Sequence, residues 1–196
     1  MSELNIEGRY LKNYHKFSHD DEERKKRQNP EGILAEMGLM PGFTFVDIGC
    51  GGGFFAIPAA RIVGEKGRVY GLDVDEEALA RLGEVVKKEG LKNLVLRIGN
   101  AEKTILCEQC ADIVFFGVVL HEFKDPSKVL TNVKRMLKPD GRLITLEWKK
   151  EPMPMGPPLE ARLNEEKAAG LFKEAGFKIA AIRGSDPYHY IIIAKL

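Results

Sequence analysis

The sequence predicts an α/β fold: a doubly wound, mostly parallel seven-stranded sheet that ends in an antiparallel C-terminal hairpin. Three observations predict it. Short apolar, β-rich runs alternate with amphipathic helical stretches, as βαβ units do. The run ADIVFFGVV (111–119) is apolar throughout, as a parallel strand covered on both faces must be. The last two strand-like runs are separated only by residues 184–187, too few for the crossover that a parallel pair needs.

Element by element, Asn29-Pro30 reads as an N-cap followed by proline at the first helical position, opening a helix to about Met37 that Gly38 ends. FTFVDIG (43–49) is the first strand, and FFAIPAARIVG (54–64) is a helix closed by Gly64. GRVYGLDV (67–74) is the second strand. Asp75 caps a helix that presents Leu79, Leu82 and Val86 on one face and stops at Gly90. NLVLRIG (93–99) and 111–119 are the third and fourth strands. Pro126 opens a helix with Val129, Val133 and Leu137 on one side, and RLITLEW (142–148) is the fifth strand. The prolines of 150–160 make that segment a loop. A helix over 164–175 precedes FKIAAIR (177–183) and YHYIIIAK (188–195).

The chain has 196 residues, which fits one domain, 29–196, preceded by a polar arm or lid, 1–28. The net charge of +1 gives no electrostatic case for a nucleic-acid partner. No apolar run approaches the ~18 residues of a membrane span, and MSELNIEGRY lacks an apolar signal region. A cytoplasmic protein is expected. Three cysteines in such a compartment imply reduced thiols. The lone pair Cys107 and Cys110 does not complete a zinc site, so no metal is expected. His15, His19 and Asp20 have helical metal-ligand spacing, but with no third partner in the sequence they are expected to be solvated side chains. Tyr10, Tyr14 and Phe17 fall on one face of a helical arm.

The most informative stretch is Val46-Asp47-Ile48-Gly49-Cys50-Gly51-Gly52-Gly53, a buried strand that runs into a glycine-rich turn and then a helix. Such turns let backbone approach a ligand closely. A dinucleotide fingerprint fits only when started at Gly51, with Ala56 in the third place. Asp47, two residues before the first glycine, discriminates further: a carboxylate suits a cationic ligand end and repels a pyrophosphate.

Asp-x-Gly-Cys-Gly-x-Gly resembles the first motif of class I S-adenosylmethionine-dependent methyltransferases. Asp73 resembles the acid that binds both ribose hydroxyls, a task for which two acceptor oxygens are suited. Gly99-Asn100-Ala101 resembles the segment beside adenine, with Asn100 in place of the usual Asp. Asp112-Ile113-Val114, the turn LKPDGRLI (137–144) and the terminal hairpin resemble further parts of the family. The resemblance implies a Rossmann-like sheet and S-adenosylmethionine as cofactor. It assigns Asp47, Gly49, Cys50, Gly51, Gly53, Asp73, Val74, Asn100, Ala101, Gly117 and Val118 to cofactor binding. Within the family, small-molecule enzymes such as the quinone-biosynthesis C-methyltransferases are most similar, which implies a small-molecule methyl acceptor.

Ligands of open parallel sheets sit beyond the carboxyl ends of the strands, which places His121 and Glu122 near the transferred methyl. His121 is either a general base or a hydrogen-bond partner of a loop backbone. Glu147, Lys149 and Lys150 read as a solvated strand end, with Trp148 facing away from Glu147. Two other functions fit the same motifs: a non-catalytic adenosylmethionine-binding protein and a nicotinamide oxidoreductase. Asp47 and the terminal hairpin disfavour the second.

Overall fold

The computed structural model describes Arg24 and residues 28–196. The arm's Tyr10, Tyr14 and Phe17, and the His15, His19 and Asp20 cluster, lie outside the described residues. In chain order the elements are α1 (Pro30–Glu36), β1 (Thr44–Ile48), α2 (Ala56–Val63), β2 (Arg68–Asp73), α3 (Glu76–Glu89), β3 (Leu94–Ile98) and β4 (Ala111–Gly117). A 3₁₀ turn (Leu120–Glu122), α4 (Pro126–Met136), β5 (Leu137–Trp148), α5 (Glu165–Glu174), β6 (Lys178–Gly184) and β7 (His189–Lys195) follow.

The seven strands form one sheet in the order β3-β2-β1-β4-β5-β7-β6. The first five are parallel, and β7 inserts antiparallel between β5 and β6. Two cores result, one on each face. Ile33 and Leu34 of α1, Ala56 and Ala59 of α2 and Leu79 and Leu82 of α3 pack on Phe45, Phe115 and Ile144. Val129 and Val133 of α4 and Phe172 of α5 pack on Val114, Phe116 and Leu143. Inward-facing residues of β4 thus alternate between the two cores, which is why that strand is apolar at almost every position.

Local signals in the sequence produce most boundaries. The Asn29 side chain accepts the Gly32 N–H at 3.0 Å, and Asp75 accepts that of Ala78 at 2.9 Å, each offsetting a helix-end donor that lacks an internal partner. One boundary differs from expectation. Leu137 turns extended at the end of α4 and begins β5, so it pairs with Ala111 instead of lying on the helix face. The proline in Lys138-Pro139 disfavours helical backbone at the residue before it, and the β4–β5 register shifts across Lys138 to Gly141.

The thiols also differ. Cys107 and Cys110 are joined as a disulfide, with Cα atoms 5.9 Å apart, while Cys50 is free and buried. Gln109 adopts a left-handed φ of 45°, and the Gln109 and Cys110 N–H groups bind the carbonyls of Arg135 and Met136 at 2.8 and 2.9 Å. This tight turn brings the two sulfurs together. Composition alone cannot show it. The pair precedes β4, at the sheet edge opposite the one where parallel-sheet ligands bind. Among the described residues no helix is long and apolar enough to cross a membrane.

Candidate active site

The strand order reverses direction between β1 and β4, which makes the gap beyond their carboxyl ends the topological switch point. Two turns border it, Gly49–Gly53 after β1 and Gly117–Val119 after β4. They touch: a Cβ on Gly49 would stand 2.6 Å from the Val119 side chain, and Gly49 has φ +75°. Gly53, with φ +85°, is likewise closed off by Leu82. These two glycines serve packing and backbone geometry. At Gly51 and Gly52 an added Cβ meets nothing within 4 Å among the described residues. Open space therefore lies above these two, and that is where a ligand has room to lie on the backbone. Gly52 was not singled out from the sequence, since a glycine pattern does not separate packing glycines from cradle glycines.

The turn is tied to β2. Gly49 and Cys50 donate their N–H groups to the Leu72 carbonyl at 2.8 and 3.1 Å. Gly51 donates to the Asp73 carboxylate at 2.7 Å, and Asp75 donates to its other oxygen at 2.9 Å. Asp73 is half-buried at the strand end, and beside it Val74 is 68% exposed. Cys50 is a packing residue. Burial and the charges of Asp47 and Asp73 push its thiol far up, so it is not a thiolate nucleophile.

Asp47 is 2% exposed. Burial pushes its carboxyl up to about 7, and Asp73 pushes the same way; Arg24 and the Ala56 backbone N–H oppose them. A buried carboxylate held at this level favours a cationic partner strongly. Asn100 and Ala101 form the turn after β3. The Asn100 side-chain oxygen accepts the Glu102 N–H at 2.7 Å, and the Ala101 carbonyl accepts from Asn132 at 2.8 Å. Ala101 itself is buried in the core. Gly117 ends β4 against Phe115 and Phe55. Val118 has φ +65°, an outlier for a β-branched residue. Its N–H is held by the Leu146 carbonyl at 2.8 Å. Strain of this kind costs about 1–3 kcal/mol and concentrates at functional sites.

His121 follows in the 3₁₀ turn, its side chain 5% exposed. Its Nδ1 lies 2.9 Å from one carboxylate oxygen of Glu147 and 3.1 Å from the other. This corrects the reading of Glu147 as a solvated strand end. Glu147 is wholly buried, on β5, opposite Tyr190 of β7. Its carboxylate also accepts the Trp148 N–H at 3.2 Å. Strand alternation does send Trp148 the other way, onto the His189 ring at 4.1 Å. The sequence hides Glu147 because the strand that buries it, β7, comes more than 40 residues later. Burial works against a charged His121, but the Glu147 charge and hydrogen bond, with Glu122, outweigh it and raise the imidazole pKa. Glu122 stands 3.9 Å from Nε2.

Arg162 was also missed. It is 5% exposed, and its guanidinium binds the carbonyls of Pro157, Glu151 and Met155 at 2.7, 2.8 and 2.8 Å. It pins the proline-rich segment into a fixed loop whose Gly156 rests on the Trp148 ring.

The model of a methyltransferase-domain family matches residues 39–189. The chain belongs to that family. S-adenosylmethionine is accordingly the cofactor, and the open cradle, the apolar Val74 and the buried Asp47 fit it. A solved S-adenosylmethionine-dependent methyltransferase from Aquifex aeolicus is 34% identical, with a TM-score of 0.83 over 87% of this chain and 91% of that one. Demethylmenaquinone methyltransferase of Geobacillus kaustophilus is 35% identical over 60% of this chain and 50% of its own length. Nocamycin O-methyltransferase of Saccharothrix syringae is 29% identical over 76% and 54%. The chain thus spans about half the length of the curated methyltransferases it matches. Membership in a methyltransferase family sets aside the nicotinamide reading.

Proposed function

We propose that this methyltransferase domain methylates a small-molecule acceptor, with His121 as its general base. The observation that carries the reading is the 2.9 Å contact between His121 Nδ1 and the buried Glu147 carboxylate. That partner keeps the Nδ1 proton in place, so Nε2 is the nitrogen with a basic lone pair. Glu147 acts through His121 as a positioning residue and stabilises the imidazolium once it forms.

Bound S-adenosylmethionine supplies an activated sulfonium methyl. Gly51 and Gly52 give its backbone-facing side room, Asp73 takes the ribose hydroxyls, and Asp47 takes the ammonium group. Val74 and the turn at Asn100 and Ala101 flank the adenine, and Gly117 and Val118 border the methyl-bearing end. His121 Nε2 would then accept the proton that the acceptor's nucleophilic atom gives up as it bonds to the methyl carbon, the carbon–sulfur bond breaking and S-adenosylhomocysteine leaving. Glu122 lies beside that nitrogen and favours the protonated imidazole. Alignment of two reactants in a fixed cleft is worth ~7–11 kcal/mol of the barrier. A placed base adds about 10²–10⁴-fold.

The acceptor's class is supported by the relatives, whose names point to small molecules. The test is transfer of tritium from methyl-labelled S-adenosylmethionine into a fractionated cell extract. Label is expected in a low-molecular-weight fraction, with S-adenosylhomocysteine released in equal amount. Label found only in protein or nucleic acid contradicts the reading.

A further inference from the structure

The chain just before α1 carries a cation that the methyltransferase motifs do not use. The Arg24 guanidinium lies over the face of Phe54, 3.9 Å from the ring centroid, and 5.9 Å from that of Phe55. Phe54 directly follows Gly53, so the guanidinium stands at the end of the cofactor turn. Its charge reaches Asp47 and holds that carboxyl down against burial. The placement is braced. Arg24 Nε donates to Gln28 Oε1 at 2.9 Å, and the buried Gln28 amide lies 3.1 Å from His189 Nε2. His189 is anchored in turn by Asp186 at 2.9 Å and by Trp148. A surface arginine with ordinary freedom would not be held on two sides, by a ring face and by a buried hydrogen-bond chain.

We infer that Arg24 binds the α-carboxylate of the cofactor's amino-acid end, completing with Asp47 a paired site for a zwitterion. The inference rests on the cofactor reading above. The charges match: a buried acid faces the ammonium, and a cation at the neighbouring position faces the carboxylate. Nε is committed to Gln28, and the terminal nitrogens of a guanidinium form the planar fork that suits a carboxylate. Phe54 keeps the plane of that fork fixed against its ring. Binding would therefore join Arg24 to the glycine turn through the ligand itself.

The test compares two ligands, S-adenosylhomocysteine and 5′-deoxy-5′-methylthioadenosine, which lacks the whole amino-acid end, by calorimetry on the wild type, Arg24→Met and Arg24→Lys. Methionine keeps the contact with Phe54 and removes the charge. Arg24→Met is expected to weaken S-adenosylhomocysteine by about 10- to 100-fold, as loss of a charge-assisted pair does. Methylthioadenosine should bind it within about twofold of the wild type. Arg24→Lys should fall between, since it keeps the charge and loses the fork. Equal weakening of both ligands would make Arg24 a structural brace and overturn the inference. Unchanged or tighter binding of S-adenosylhomocysteine would show that Arg24 competes with the ammonium for Asp47, and would overturn it too. A wild-type protein that binds neither ligand would refute the cofactor reading itself, a separate result.

Discussion

The imidazole of His121 and the carboxylate of Glu147 stand 2.9 Å apart across 26 residues of chain, joining the turn after β4 to the end of β5. Neither position is adjustable. Glu147 is buried by β7 from one side, and the His121 backbone N–H also points at its carboxylate, at 3.4 Å. A histidine fixed this way is held in one ring orientation, with Nδ1 on the Glu147 carboxylate.

Replacing Glu147 by Gln tests this coupling. The Glu147 charge raises the His121 pKa above its ordinary 6.5, so in the wild type the base is free only as pH climbs through that raised value. Activity should rise with pH, with its midpoint above about 6.5. In Glu147→Gln the charge is gone while burial remains, and the rising limb should move to lower pH. The amide can also donate to Nδ1, which admits the wrong tautomer, so the plateau of kcat/KM should fall by about 10- to 100-fold. A profile with an unmoved limb would separate Glu147 from the base.

Asp47 should show a conflict between stability and binding. Its folded carboxyl sits at about 7 against 3.8 for the ordinary group. Between those values the folded protein keeps a proton that the unfolded chain releases, so stability falls as pH rises through that window. At about 1.4 kcal/mol per pH unit, the penalty above pH 7 is about 4 kcal/mol in the unliganded protein. Asp47→Asn should raise the Tm by several degrees at pH 8, have little effect near pH 4, and weaken S-adenosylmethionine by at least about tenfold. Thermal scans at both pH values, with calorimetry on each protein, check the two halves.

Asp73→Ala removes the acceptor of the Gly51 and Asp75 N–H groups together with the proposed ribose contact. Affinity for S-adenosylhomocysteine should drop by ~1.5–3 kcal/mol. Adenine alone, which has no ribose, should be affected far less in a competition assay. An unchanged affinity in the folded variant would move the ribose elsewhere.

Arg162→Ala should release the loop over 150–161. The substitution leaves four backbone carbonyls without their charged donor and removes a buried side chain, a loss of about 3 kcal/mol or more. Limited proteolysis should cut this loop in the variant and spare it in the wild type.

How far the sequence reaches can be judged residue by residue. The alternation of strands and helices, the caps at Asn29 and Asp75 and the antiparallel C-terminal hairpin are legible because they depend on local periodicity, capping chemistry and loop length. The places of Asp47, Asp73 and His121 near the carboxyl ends of β1, β2 and β4 are legible because they sit at fixed offsets from those strands. Glu147 and Arg162 are not. A carboxylate at the end of a strand looks solvated until β7 closes over it, and an arginine after a proline-rich run looks like surface until its loop folds back onto it. Arg24 carries no signal within its charged segment. Its position is fixed by the Phe54 ring, 30 residues on in the chain, and by Gln28, one helical turn away. The Cys107–Cys110 bond depends on the φ of Gln109, which no residue pattern reports.

The most direct measurement of the central claim uses His121→Asn. The asparagine amide stands in for Nδ1–H and can keep the hydrogen bond to Glu147, but it has no counterpart of Nε2. Both proteins are given methyl-tritiated S-adenosylmethionine and the same fractionated extract, and their S-adenosylhomocysteine affinity is measured by calorimetry. Affinity should be equal in the two proteins, label with the wild type should depend on the acceptor, and the rate with His121→Asn should be about 10²- to 10⁴-fold lower. Label incorporated at the wild-type rate by the variant would contradict that claim.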